Sequence, residues 1–214
     1  MLPPYLDRLS PERQEVFKKL KKFSKSFVLA GGTAIMLQIG HRMSFDFDCF
    51  TQERLSPTLL RKAKNVFGKI ILPRVQTQEQ LTFTTEKGVE ATFVHHPYNH
   101  LRKPITTDFL PLSHLDDLAA NKAYTVGRRG VWRDYVDLFF LLKWKLYTME
   151  YLIALAEKKF AGEFHDKLFL EQLSFFDDVE ILPTTFLKDS YTPSEIKSYL
   201  EKEVETYVKR ILGK

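Results

Sequence analysis

The sequence predicts a mixed α/β (α+β) sheet domain followed by a helical domain, on three observations. Up to residue 97 the apolar pattern switches between helical spacing and period-two alternation, in the order helix, strand, helix, strand, helix and three strands. Beyond residue 112 only helical spacing occurs. Between them Pro97, Pro104 and Pro111 punctuate a linker over residues 97–111, which places an α/β domain at residues 1–105 and a helical domain at residues 106–214.

Each element has a local reason. Ser10-Pro11-Glu12 starts the first helix, with Ser10 as N-cap, Pro11 at the first helical position and Val16, Phe17 and Leu20 as its apolar stripe, fading near Phe23. Phe27 to Ala30 is a short continuous apolar run, a buried strand that Gly31-Gly32 ends. Thr33 is expected to cap a second helix carrying Ala34, Ile35, Leu37 and Ile39 and stopping at Gly40. Ser44 to Phe50 alternates, with Phe45, Phe47 and Cys49 on one side and Asp46, Asp48 and Phe50 on the other. Ser56-Pro57 opens a third helix. Lys69 to Leu72, Leu81 to Thr85 and Val89 to Val94 read as strands, the last two a hairpin turning at Lys87-Gly88. Ser113 and Asp116 are spaced as a capping pair, an aromatic-rich helix follows from about Val131 to Tyr147, and Thr192-Pro193-Ser194-Glu195 is a capping box for a last helix ending near Gly213. Phe139, Phe140, Trp144, Phe175 and Phe176 recur at spacings that fill a core.

Composition narrows the class. The 214 residues are 44% hydrophobic, enough for a sizeable core. No run of about 18 apolar residues occurs, and MLPPYLDRLSPERQ lacks an apolar signal region, so no membrane span or secretory leader is expected. Cys49 has no partner for an internal disulfide, which suits a cytoplasmic location. The net charge of +5 leans mildly toward anionic partners. Lys18, Lys19, Lys21, Lys22 and Lys25 form the one dense cluster, either a solvated helix face or an anion-binding patch. His41, His95, His96, His100, His114 and His165 show no zinc spacing, and no zinc is expected.

Asp46 and Asp48 carry the chemistry. Two carboxylates in an apolar neighbourhood cost several kcal/mol unless a cation joins them. Alternate strand residues lie about 7 Å apart on one face, so both can reach one cation. Mg²⁺ (or Mn²⁺) suits such a pair, because a hard ion takes one or two carboxylates and fills its other positions with water and phosphate. Gly31-Gly32 supplies a sharp backbone turn, and the helix after it aims unpaired N–H groups at an anion. A triphosphate beside the ion would use both.

Gly31-Gly32-Thr33-Ala34, His41-Arg42, Ser44 and Asp46-Phe47-Asp48 resemble the signature of the AbiEii/AbiGii-type nucleotidyltransferases, toxin components of bacterial toxin–antitoxin and abortive-infection systems. Leu115 to Lys122, Arg128-Arg129-Gly130 and Arg133-Asp134-Tyr135-Val136-Asp137-Leu138 are similar to that family's helical segment, so the resemblance covers residues 25–145. It implies a nucleotidyltransferase-like mixed sheet, an NTP substrate, an RNA (tRNA) or protein acceptor, and a cognate antitoxin as partner. Carried over residue by residue, Gly31, Gly32 and Thr33 would contact phosphates, Asp46 and Asp48 would bind the metal, and Lys122 would meet the triphosphate as a point charge. Arg42, near Ser44 in the loop entering the aspartate strand, either clamps phosphate or neutralises the carboxylates. Asp134 and Asp137 share a helical face, where they either pair with Arg128, Arg133 or Lys122 or orient the acceptor.

The pattern departs at one point. Related polymerase-like enzymes present a third carboxylate on a later strand, and the matching position here is Thr92, which cannot ionise. Glu90, two residues earlier and on the same face, either reaches the site as a catalytic carboxylate or points into solvent. The alternative reading is therefore a catalytically weakened nucleotide-binding or partner-binding protein of the same fold.

Overall fold

In the computed structural model, which describes residues 2–68 and 72–213, Ser10 starts the first helix as its spacing predicts. Its side chain accepts from the Arg13 amide, α1 spans Pro11–Leu20, and a 3₁₀ turn continues it over Lys21–Phe23. The chain divides into two units, Met1–His114 and Leu115–Lys214.

The first unit is built on a five-stranded mixed sheet in the order β1-β2-β5-β4-β3, with β1 at Val28–Ala30, β2 at Phe47–Thr51, β3 at Leu72–Gln76, β4 at Gln80–Thr84 and β5 at Glu90–His95. Only β2 and β5 pair in parallel; the other neighbours are antiparallel. Of the expected strand at Lys69 to Leu72, residues 69–71 lie outside the described residues, and Leu72 opens β3. β3 is an edge strand with a register shift between Pro73 and Val75, a place where a proline's missing N–H costs little.

Register sorts the sheet's two faces. Phe47 and Phe83 both pair with Ala91, while Cys49 and Leu81 both pair with Phe93, so these residues share one face. The opposite face carries Asp48, Thr92 and Thr82 in neighbouring positions. α1, the 3₁₀ turn and α3 (Leu59–Phe67) cover the aromatic face: Phe17 stacks on Phe47 at 5.6 Å between centroids, Phe23 meets Phe93 at 4.9 Å, and Phe67 meets Phe83 at 5.5 Å. Each such ring removed from water contributes about 1.5–3 kcal/mol.

Three expectations shift. α2 spans Gly31–Ile39, starting two residues before Thr33, so Thr33 does not cap it; a tertiary partner takes its hydroxyl instead. Gly40, at φ +63°, ends it as expected. α3 starts after Ser56-Pro57, because the Ser56 hydroxyl accepts from the Thr58 amide and holds those residues in a turn. The proline-punctuated run is built into the sheet unit: the Leu29 amide donates to Pro111 O at 2.7 Å, the Ser113 amide donates to Leu29 O at 2.8 Å, and Phe109, Leu110 and Leu112 are buried.

The second unit is helical: α4 (Leu115–Val126), α5 (Trp132–Lys143), α6 (Met149–Lys159), α7 (Asp166–Ser174) and α8 (Pro193–Ile211). Both halves of the Thr192/Glu195 capping box form, as the sequence predicts. Phe139 packs against Tyr191 and Tyr199, and Phe140 against Trp144, so these aromatics fill the core. Phe175 is the exception among them: it sits at the C-terminal cap of α7, past the helix's buried stripe, and is 46% exposed. Asp116 accepts from the Tyr147 hydroxyl at 2.8 Å. No helix among the described residues is long and apolar enough to cross a membrane.

Candidate active site

The glycine pair and the aspartate strand meet because β1 and β2 are antiparallel neighbours, with Ala30 opposite Asp48. Gly31 takes φ +65°, a conformation side chains rarely adopt, and a β-carbon built on it would fall 2.0 Å from Asp48 Oδ2. The Asp48 carboxylate therefore rests directly on the backbone of the bend. Gly32 gives way similarly: a β-carbon there would lie 2.7 Å from Arg42 Nη2 and 3.0 Å from Ser44 Oγ. The space that two side chains would fill is occupied by a carboxylate, a guanidinium and a hydroxyl.

Thr33 ties the arrangement together. Its hydroxyl donates to the Asp46 carbonyl at 2.5 Å and lies 2.9 Å from Ser44 Oγ, fixing the chain two residues before Asp48. Asp46 precedes β2, and Asp48 is its second residue; both are half-buried. Arg42 is 2% exposed, and its Nη1 donates to Met43 O at 3.0 Å. A cation so deeply buried demands compensating polar groups, which suits a place beside the carboxylates. Cys49, on the sheet's other face, has its thiol pushed well above the ordinary range by burial and then by the Asp48 charge, so it stays protonated.

Six residues singled out in the sequence, Gly31, Gly32, Thr33, Arg42, Ser44 and Asp48, are thus neighbours, with the Asp46 backbone bound to them. Thr92 lies in register beside Asp48, and its hydroxyl is 3.1 Å from that of Thr82. Glu90 engages Arg74 of β3, so its carboxylate reaches across β4, away from β2. Thr82 went unnoticed in the sequence, since only register makes it a neighbour of Thr92.

The second unit gathers the remaining site residues. Lys122 Nζ sits between Asp134 Oδ1 at 2.5 Å and Asp137 Oδ2 at 2.6 Å, while Arg129 Nη2 binds Asp134 Oδ2 at 3.1 Å. Asp134 and Asp137 are buried, and the two cations balance the two carboxylates. Arg129 was not among the partners expected for Asp134; it comes from the loop between α4 and α5, where helical spacing gives no signal.

Among the described residues no group of three or more His, Cys, Asp or Glu side chains forms a metal cluster. A divalent ion bound by Asp46 and Asp48 would take its other oxygens from water and phosphate, the usual habit of Mg²⁺, so the donor set fits that ion.

Comparison with known proteins identifies the fold and the family. A curated protein of Aquifex aeolicus (strain VF5), described as the uncharacterized protein aq_aa25, is 27% identical over 206 residues, covering 91% of this chain and 98% of that one. The crystal structure of JHP933 from Helicobacter pylori shares the fold with a TM-score of 0.57 at 16% identity, covering 100% of this chain and 96% of the other. MenT4, the nucleotidyltransferase toxin Rv2826c from Mycobacterium tuberculosis H37Rv, does so with a TM-score of 0.59 at 14% identity, covering 90% and 80%. The family described as "Nucleotidyl transferase AbiEii toxin, Type IV TA system" matches residues 17–207, and this chain belongs to it.

Proposed function

We propose that the protein moves a nucleoside monophosphate from an NTP to a hydroxyl of an RNA or protein acceptor, releasing pyrophosphate, with Asp46 and Asp48 holding Mg²⁺. The observation that carries this reading is the Asp48 carboxylate seated on the Gly31 bend. When bound, the ion would supply charge neutralisation at the phosphates. The chain's own residues hold the geometry. Thr33 pins the Asp46 backbone, Gly31 leaves room for the Asp48 carboxylate, and the Arg42 guanidinium with the Ser44 hydroxyl offers donors beside Gly32 for phosphate oxygens. Such fixed dipoles accelerate transfer because they need no reorganisation as charge develops.

As family members, such proteins act as toxins, and the expected partner is an antitoxin; expression of this chain alone should slow growth in a manner that depends on Asp46. Incubating the purified protein with each labelled NTP, Mg²⁺ and total cellular RNA or lysate tests the reading. Labelled product is expected from wild type and none from Asp46→Ala with Asp48→Ala; unaltered transfer by that double variant refutes the site.

One observation favours the second reading, a nucleotide-binding protein with little transferase activity. The place beside Asp48 where a third carboxylate would stand is held by Thr92, and Glu90 is engaged by Arg74. Such a protein would bind NTP by calorimetry yet label no acceptor.

A further inference from the structure

The two carboxylates of the site are held in different ways. Asp48 lies within β2, in register between Ala30 of β1 and Thr92 of β5, so ladder hydrogen bonding fixes its backbone. Asp46 lies ahead of the strand, and the pairing of β2 with either neighbour starts at Phe47 or later. Its orientation has to come from groups outside the ladder.

Two side chains from two helices supply it. The Thr33 hydroxyl of α2 donates to the Asp46 carbonyl at 2.5 Å, and Nε of Arg13, from α1, donates to the Phe45 carbonyl at 3.1 Å. These carbonyls belong to the peptide groups on either side of the Asp46 α-carbon. Each peptide group is planar, so the orientation of one relative to the other is set by φ and ψ of Asp46. Holding both carbonyls therefore sets the direction in which the Asp46 side chain leaves the backbone. Arg13 is itself oriented for this. Its guanidinium carbon lies 4.8 Å from the centroid of the Phe45 ring, and Nη1 donates to Ser10 Oγ at 3.3 Å, the same oxygen that accepts from the Arg13 amide at the start of α1. Because a guanidinium presents its donors in a rigid planar fork, the ring and Ser10 contacts leave Nε aimed at the carbonyl.

We propose that Arg13 is a positioning residue for the Asp46 carboxylate, acting through the Phe45 carbonyl, so that α1 forms part of the site without touching metal or nucleotide. The assignment rests on the reading of Asp46 and Asp48 as Mg²⁺ ligands given above. The helix start at Ser10 then has two roles: it caps α1 and it steadies the arginine that orients the first carboxylate.

The test is isothermal titration calorimetry of the full chain with the α,β-methylene analogues of ATP, GTP, CTP and UTP in turn, once with Mg²⁺ and once with EDTA. The ratio of the two affinities reads the metal-dependent part of binding, at a temperature well below the melting transition of every variant. Wild type is expected to bind more tightly with Mg²⁺. Arg13→Met keeps the apolar stem and drops the donors; it should lower the Mg²⁺-dependent gain about three- to tenfold, with the affinity in EDTA held within about twofold. Arg13→Lys keeps a donor and the charge and should recover part of the gain. Thr33→Val releases the other carbonyl, so adding Arg13→Met to it should cost less than the product of the two single losses. An unchanged gain in Arg13→Met overturns the assignment. So does an equal loss with Mg²⁺ and with EDTA, a lysine variant no better than the methionine one, or single losses that simply multiply. Wild type that gains nothing from Mg²⁺ refutes the metal site and this assignment with it. Wild type whose gain depends on Arg13, but which labels no acceptor, refutes the transferase reading alone.

Discussion

Gly31→Ala is the most direct probe of the bend. Two costs follow from the geometry. Alanine at φ +65° carries about 1–2 kcal/mol of left-handed backbone strain. Its β-carbon would also fall 2.0 Å from Asp48 Oδ2 and 2.9 Å from Asp48 Cγ, and displacing a packed group adds about 1–3 kcal/mol. The variant should therefore lose roughly 2–5 kcal/mol. In an Asp48→Ala background only the backbone cost and a tight Cβ contact remain, so the same substitution should cost about 1–2 kcal/mol, a coupling that a double-mutant cycle reads directly. Urea unfolding followed by far-UV circular dichroism measures the loss. Equal costs in the two backgrounds would refute the contact between the carboxylate and the bend.

Other expectations test the rest of the molecule. Lys122→Met leaves Asp134 and Asp137 buried with less compensation, and should destabilise the second unit by about 3–5 kcal/mol, read from the tryptophan transition; a change under about 1 kcal/mol would show the cluster to be more hydrated than its burial indicates. The Tyr135 phenol is pushed up to about 12 by burial and then by the charges of Asp178 and Asp134. Its folded value lies above its unfolded value of 10.0, so its contribution to stability is complete below about pH 10 and is lost as pH rises toward 12. Because the phenolic oxygen has no hydrogen-bond partner among the described residues, Tyr135→Phe should cost little at pH 7 and flatten the alkaline loss; an unchanged difference between variant and wild type from pH 9 to 12 would contradict this.

Local chemistry carried much of the design in one dimension. Ser10-Pro11, Gly40, the Lys87-Gly88 hairpin and the Thr192/Glu195 box act within a few residues, where backbone hydrogen bonding and side-chain spacing suffice to place helix ends and turns. The order of helices and strands and the glycine and aspartate motif were legible for the same reason, and the family followed from them. Contacts made across strands were not legible, because they depend on register. Thr33 reads as a helix cap until the β1–β2 pairing brings Ser44 and Asp46 to its hydroxyl. Gly31 reads as a sharp bend that admits a ligand, and only the β1–β2 pairing shows that the Asp48 carboxylate lies where its side chain would be. Glu90 reads either as a site carboxylate or as a solvent-facing one, and only the sheet order supplies Arg74 of the edge strand as its partner. Sequence periodicity reports which side of an element is apolar; burial of those sides against each other then sets which polar groups, far apart in the chain, must share a neighbourhood.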